Sequence, residues 1–225
     1  VLSKLLFPAH FSATQALSPS PRNIAAGFGV LPRHKETTAM RLVPSILLLA
    51  AFSASFLAAE SAPPKIVHQP EFYVVGITVR TTNAKEASPQ DGVIGKQWQK
   101  FFQEGVLQQI PNKLDHYVYS VYSDYASDRN GEYSVTIGAR VPNPPQEQLP
   151  PGLVLKTVPA GDYAVITTEK GPIADVVTAA WKRVWNLESQ KQLGGTRAYK
   201  SDYEFYDERA MDPQNAQADL NIGLK

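Results

Sequence analysis

The stretch YKSDYEFYDERAMDPQNAQADLNIGLK, residues 199–225, decides how the rest of the chain is read. It holds a strand around 199–207 and a last strand, ADLNIGLK (218–225), both rich in the aromatic and β-branched residues that suit a pleated surface. Strand alternation puts Asp202, Glu204 and Tyr206 on one face and Tyr203 and Phe205 on the other. Glu204 is the anomaly. A carboxylate among aromatic rings is costly to bury, so it needs a partner, a proton or a ligand. With Tyr203 and Phe205 packed toward helices, Glu204 faces a seam in which a small molecule can lie. The bland alternative is a solvated Glu204, or one paired with Arg197 or Lys200.

Working backwards, the same order of elements occurs twice. HYVYSVYSDY (116–125) and EYSVTIGARV (132–141) form a hairpin about a turn containing Asn130-Gly131, and they echo the closing pair. Tyr122-x-Asp124 runs to Ile137-Gly138 as Tyr206-Asp207 runs to Ile222-Gly223. A helix precedes each hairpin. The first is expected after Ser88-Pro89, with a stripe of Ile94, Trp98, Phe101 and Phe102 and a close at Gly105. The second follows Gly171-Pro172, with a stripe of Ile173, Val176, Val177, Ala180, Trp181 and Val184. A strand leads into each helix: FYVVGITVR (72–80) and DYAVITTEK (162–170). An extra strand, LVLKTVPA (153–160), follows the connector PNPPQEQLPPG (142–152). The expected fold class is α+β: duplicated strand-helix-strand-strand units, an antiparallel sheet with two main helices and a central groove.

The first quarter differs in character. The chain has 225 residues, with 22 Lys+Arg and 21 Asp+Glu. Residues 1–61 hold five of those bases and two of those acids, so the remainder carries 17 against 19, a net charge of −2. No basic excess is left to attract nucleic acid. Met40-Arg41 followed by LVPSILLLAAF (42–52) reads as a signal peptide over 40–61, with cleavage near Ala62. Export to a bacterial periplasm is the expectation, with no stable membrane span after cleavage; a retained anchor and an organelle transit peptide are the rivals. Residues 1–39 read as a non-native upstream extension, and 62–225 as the folded domain.

The absence of cysteine rules out disulfides and thiolate chemistry. His68 and His116 are far apart and match no metal-ligand spacing; either is only in principle an axial haem ligand. No phosphate loop or nucleophile elbow is present. Neither metal nor cofactor is expected. All ten tyrosines fall between residues 73 and 206, which suits a groove with apolar walls and polar tips. Tyr117 and Tyr119 share one face of their strand and Tyr122 takes the other. Tyr163 follows the Pro159-Ala160-Gly161 turn. Trp98 and Trp181 read as core, and Trp185, at the edge of its stripe, as a groove residue.

The segments VPAGDYAVITTEKGPI, AAWKRVWNL, DYEFYDERAMDPQNAQADLNIGLK and VYSDYASDRNGEYSVTIGARV resemble the GyrI-like superfamily, also called the AraC-type effector-binding domain, over about 72–225. The resemblance implies a duplicated strand-helix-strand-strand fold with a groove for drug-like molecules that are often cationic or aromatic. The family's acidic groove residue matches Glu204, and its aromatic groove positions point to Tyr119, Tyr163 and Trp185. Tyr206 joins them as a neighbour of Glu204. The expected partner is a small hydrophobic or cationic organic ligand, multidrug binding being the family's habit, with oligomeric state left open. Some stand-alone members are hydrolases of strained, electrophilic compounds, which makes Glu204 an acid/base in the alternative reading. A protein-interaction or haem-carrying role is the third. No helix-turn-helix pattern is read here, so direct transcriptional control is not implied. Export would also separate the chain from gyrase.

Overall fold

Eight strands and four helices make up the computed structural model, which describes residues 63–225. The signal-peptide and upstream-extension readings lie outside the described residues. The strands are β1 (Lys65–Gln69), β2 (Phe72–Thr81), β3 (Val118–Ser123), β4 (Tyr133–Val141), β5 (Val154–Val158), β6 (Gly161–Thr167), β7 (Arg197–Tyr206) and β8 (Asp219–Leu224). The helices are α1 (Asn83–Glu86), α2 (Ile94–Gln103), α3 (Val106–Gln109) and α4 (Ile173–Ser189). All strands join one antiparallel sheet in the order β1-β6-β8-β7-β3-β4-β2-β5. β2-α2-β3-β4 and β6-α4-β7-β8 are the two repeats, and they meet where β3 pairs with β7. The α+β duplication read from the sequence is therefore the observed architecture.

β1 was not foreseen, and it changes the shape of the sheet. Only Pro70 and Glu71 separate β1 from β2, and only Pro159 and Ala160 separate β5 from β6. β1 pairs with β6, and β2 with β5, in one register that runs from Lys65 opposite Val165 to Gly76 opposite Val154. The strand ahead of each repeat, β1 or β5, thus pairs with the other repeat, and the sheet rolls back on itself.

Rolling buries both faces. On the helix side, Phe101 and Val106 pack on Val75, Val135 and Ile137, while Ala180 and Val184 pack on Ala164, Ile166 and Ile222. On the other side Phe72, Val74, Tyr119, Val121, Val158, Tyr163 and Tyr203 form a second cluster, with Phe205 against it. Its rings meet edge-on or tilted, Phe72 to Tyr203 at 5.2 Å and Tyr119 to Phe205 at 5.0 Å, arrangements that contribute ~0.5–1.5 kcal/mol each beyond burial. Gly76 and Gly138 face each other across β2 and β4, where a Cβ on Gly138 would fall 2.0 Å from the Val75 carbonyl oxygen. Only glycine fits that approach.

The start of α2 departs from the expected Ser88-Pro89 cap. The Glu86 carboxylate instead accepts from the Val93 and Ile94 backbone N–H groups at 3.0 and 3.2 Å, satisfying the first donors of the helix from outside. Gly105 does close α2, with φ +60°. Among the described residues no helix is long and apolar enough to cross a membrane.

Candidate ligand site at the seam of the repeats

β3 and β7 lie side by side with Ser120 directly opposite Glu204, so the carboxylate stands at the join of the two repeats. Alternation carries Asp202, Glu204 and Tyr206 to the helix side and Tyr203 and Phe205 into the opposite cluster. This reverses one premise of the sequence reading: Tyr203 and Phe205 pack away from the helices, and Glu204 points toward them.

Glu204 is 1% exposed. Its Oε1 accepts from Trp181 Nε1 at 2.6 Å and from Tyr122 Oη at 2.8 Å, and its Oε2 accepts from Tyr206 Oη at 2.7 Å. Among the described residues it forms no ion pair; Arg197 goes elsewhere. Burial pushes the carboxyl above the ordinary carboxylate value, against the pull of the hydrogen bonds from Trp181, Tyr206 and Tyr122. The Ser120 hydroxyl also favours the ionised form by proximity, though it is not in hydrogen-bond geometry. Tyr122 and Tyr206 are themselves pushed up, first by burial and then by the adjoining carboxylate, so they stay donors.

A β-bulge in β7 builds a second polar centre beside the first. Between Arg197 and Asp202 the register to β8 shifts, and Tyr199 takes φ +53°. Arg197 and Asp202, five residues apart, would otherwise face opposite ways. Here Arg197 Nη2 donates to Asp202 Oδ2 at 2.7 Å, Tyr125 Oη donates to the same oxygen at 2.6 Å, and the Gly223 N–H reaches Oδ1 at 2.9 Å. Glu188 approaches Arg197 Nη1 at 3.7 Å. The guanidinium also lies 4.4 Å from the Tyr199 ring centroid and 5.6 Å from that of Trp181.

Above the seam, between α2 and α4, opens a cavity of about 560 Å³. Glu204 lines its floor with Tyr122 and Tyr206, Trp98 and Phe102 form the α2 wall, and Trp181 and Trp185 the α4 wall. Trp98 stacks on Phe102 at 5.8 Å and meets Tyr206 edge-on at 5.2 Å; Tyr122 meets Trp181 at 4.9 Å. The volume is that of a site for a drug-sized molecule.

Of the residues singled out from the sequence, Glu204, Tyr206 and Trp185 come together here. Tyr119 and Tyr163 do not. They belong to the cluster inside the rolled sheet, where Tyr163 Oη is spent on the Pro159 carbonyl at 2.8 Å. Trp181, read as core, does pack against it and is also one of the three donors to Glu204. Trp98, read as core, Arg197, named only as a possible partner of Glu204, and Tyr122 and Tyr125 were not proposed as site residues; the alternation that separates Tyr122 from Tyr119 was the available signal. His116 lies at the cavity wall beside Tyr117, and His68 pairs with Asp162 at the surface. Among the described residues no cluster of His, Asp or Glu is arranged to hold a metal.

The sequence profile described as the GyrI-like small molecule binding domain matches residues 62–225. The protein YobU of Bacillus subtilis (strain 168), which carries a transcriptional-regulator name, is 28% identical over 151 residues, 67% of this chain and 90% of YobU. Among solved structures, an integron cassette protein from the mobile metagenome of Vibrio cholerae is 28% identical with a TM-score of 0.58, covering 72% of this chain and 96% of its own. SAV2435, solved bound to tetraphenylphosphonium, shares the fold at a TM-score of 0.58 and 18% identity, over 73% of this chain and 94% of its own.

Proposed function

This chain belongs to the GyrI-like small-molecule-binding domain family, and from the site it carries we propose that it binds an organic cation built on aromatic rings, with Glu204 as the counter-charge. The observation that carries this reading is a buried carboxylate held by three neutral donors, without a cationic partner among the described residues, on the floor of an aromatic cavity. Such a carboxylate is aimed and desolvated but not neutralised. A cation entering the cavity supplies the missing charge, and the rings of Trp98, Trp181, Trp185 and Tyr206 add dispersion and cation–π attraction. The tetraphenylphosphonium held by SAV2435 is of this chemical class, which supports the reading.

The test is calorimetric titration of wild type and Glu204→Gln with tetraphenylphosphonium and with uncharged triphenylphosphine oxide. A unit charge about 5 Å from Glu204 at an effective dielectric near 20 gains roughly 3 kcal/mol. The variant should therefore bind the cation about 100-fold more weakly and the neutral compound about equally well. Equal losses for both compounds would mean that Glu204 shapes the cavity without acting as its charge. Export is part of the proposal. It rests on the apolar run 42–52 behind Met40-Arg41, and the intact mass of the protein recovered from its host tests it.

A further inference from the structure

The cavity carries charged lining residues besides Glu204. Asn83, Arg129 and Lys182 line it along with Glu204. The other cations near it are satisfied: Arg197 by Asp202 and Glu188, and Arg209 by Asp207 and Asp219. Of the acids that line it, Glu86 is spent on the start of α2 and Asp207 on Arg209. Arg129 and Lys182 form no ion pair among the described residues, and neither does Glu204. The lining therefore presents one uncompensated negative group and two uncompensated positive ones.

Their separation can be traced through contacts. From Glu204 the path runs to the Tyr122 hydroxyl, and the Tyr122 ring meets the Tyr133 ring at 5.8 Å. The Tyr133 hydroxyl donates to Asn83 Oδ1 at 2.8 Å, and Asn83 Nδ2 donates to the Arg129 carbonyl at 2.7 Å. Two aromatic rings and the Asn83 amide thus stand between the carboxylate and the backbone that carries Arg129. That backbone is pinned. Besides the Asn83 bond, the Gly131 N–H reaches the Asp128 carbonyl at 3.1 Å, and the Ala126 N–H reaches the Glu132 carbonyl at 2.8 Å. Arg129 is therefore presented to the cavity from a fixed base.

We infer that the ligand is amphoteric: a cationic group seated over Glu204 and, about two aromatic rings away, a carboxylate or comparable anion that Arg129 receives with help from Lys182. The inference rests on the cation-binding reading above and extends it to the ligand's other end. A guanidinium receives a carboxylate through paired N–H donors, which an ester of the same shape cannot match in charge.

The probes are a triphenylphosphonium carrying a carboxybiphenyl arm and the methyl ester of the same compound, titrated calorimetrically into wild type, Arg129→Gln, the Arg129→Gln/Lys182→Gln double variant and Glu204→Gln. The free acid should bind the wild type roughly tenfold more tightly than the ester, as expected of a charge-assisted hydrogen-bonded pair. Arg129→Gln should remove most of that advantage and the double variant all of it, with the ester's affinity unchanged in both. Glu204→Gln should weaken acid and ester alike. If acid and ester bind the wild type equally, or the advantage survives the double variant, the amphoteric reading falls while the cation site stands. If neither compound binds the wild type, the cation site falls and takes this inference with it.

Discussion

Replacing Glu204 with glutamine should stabilise the unliganded protein, and only above the pH at which the carboxyl ionises. Burial holds this carboxyl above its ordinary value of 4.5. A folded-state value above the unfolded one means that the folded protein keeps the proton longer. The stability that the proton supplies is complete below 4.5 and is lost as the pH rises through the folded-state value. Above that folded-state value the empty site therefore carries an ionised group without an opposite charge. Two terms set the size of the penalty. Taking a carboxylate out of water costs several kcal/mol after relaxation, and the hydrogen bonds from Trp181, Tyr122 and Tyr206 offset only part of that. The direction of the shift says that burial wins, and each pH unit by which the folded-state value exceeds 4.5 costs the ionised folded protein about 1.4 kcal/mol. Glutamine keeps the shape and gives up the charge: its carbonyl accepts from Trp181 and Tyr122, and its amide donates to the Tyr206 oxygen. Urea denaturation of both proteins across the pH range is the assay. The variant's advantage should grow by about 1.4 kcal/mol per pH unit between the ordinary carboxyl value and the folded-state one, and the two should converge below the ordinary value. A variant less stable at every pH, or a difference that ignores pH, would refute the reasoning. The stable variant is also the one expected to lose cation binding, so stability and function are in direct conflict at this position.

The buried pair of Arg197 and Asp202 should behave in the opposite way: Arg197→Met strands Asp202 and is expected to cost about 3–5 kcal/mol in urea, with much of that recovered on adding Asp202→Leu. No recovery in the double variant would show that Arg197 acts by packing on Tyr199 and Trp181 instead of by charge. Tyr163→Phe, on the far face of the sheet, should lose only the bond to the Pro159 carbonyl, about 1 kcal/mol, and leave tetraphenylphosphonium affinity unchanged by titration. A loss of affinity there would mean that the two faces of the sheet are coupled.

The repeat was legible because its signals are local. Turn residues, helix stripes and strand composition each occupy a short window, and they recur in the same order. Glu204 was legible because a carboxylate among rings is costly wherever the rings point. The choice of face was not. Alternation grouped Asp202, Glu204 and Tyr206 correctly, but it cannot say which group meets the helices when both groups include an aromatic ring. The rolled sheet buries both, and so Tyr119 and Tyr163, which the family resemblance suggested as groove positions, are core. β1, with the sequence KIVHQ, is short and largely exposed, so it lacks the apolar signature of its partners. The bulge at Tyr199 turns on a positive φ at a non-glycine residue, which no residue type announces. Trp181 sits on the apolar stripe and also carries an N–H donor; periodicity registers the first property and is blind to the second.

The exchange of leading strands between the repeats also bears on how the protein is made. Residues 65–69 are among the first of the domain to be synthesised, yet their partners, residues 161–165, arrive almost a hundred positions later. Such long-range pairing slows folding, and a growing chain holds that strand unpaired in the meantime. Neither repeat pairs the strand that precedes it, so a gene encoding only one of them would yield a unit with one strand to give and one vacancy to fill. Two fragments cut within residues 142–152 should find each other and reassemble, each closing the other's sheet. A single repeat produced alone has the same exchange open to it only with a second copy of itself.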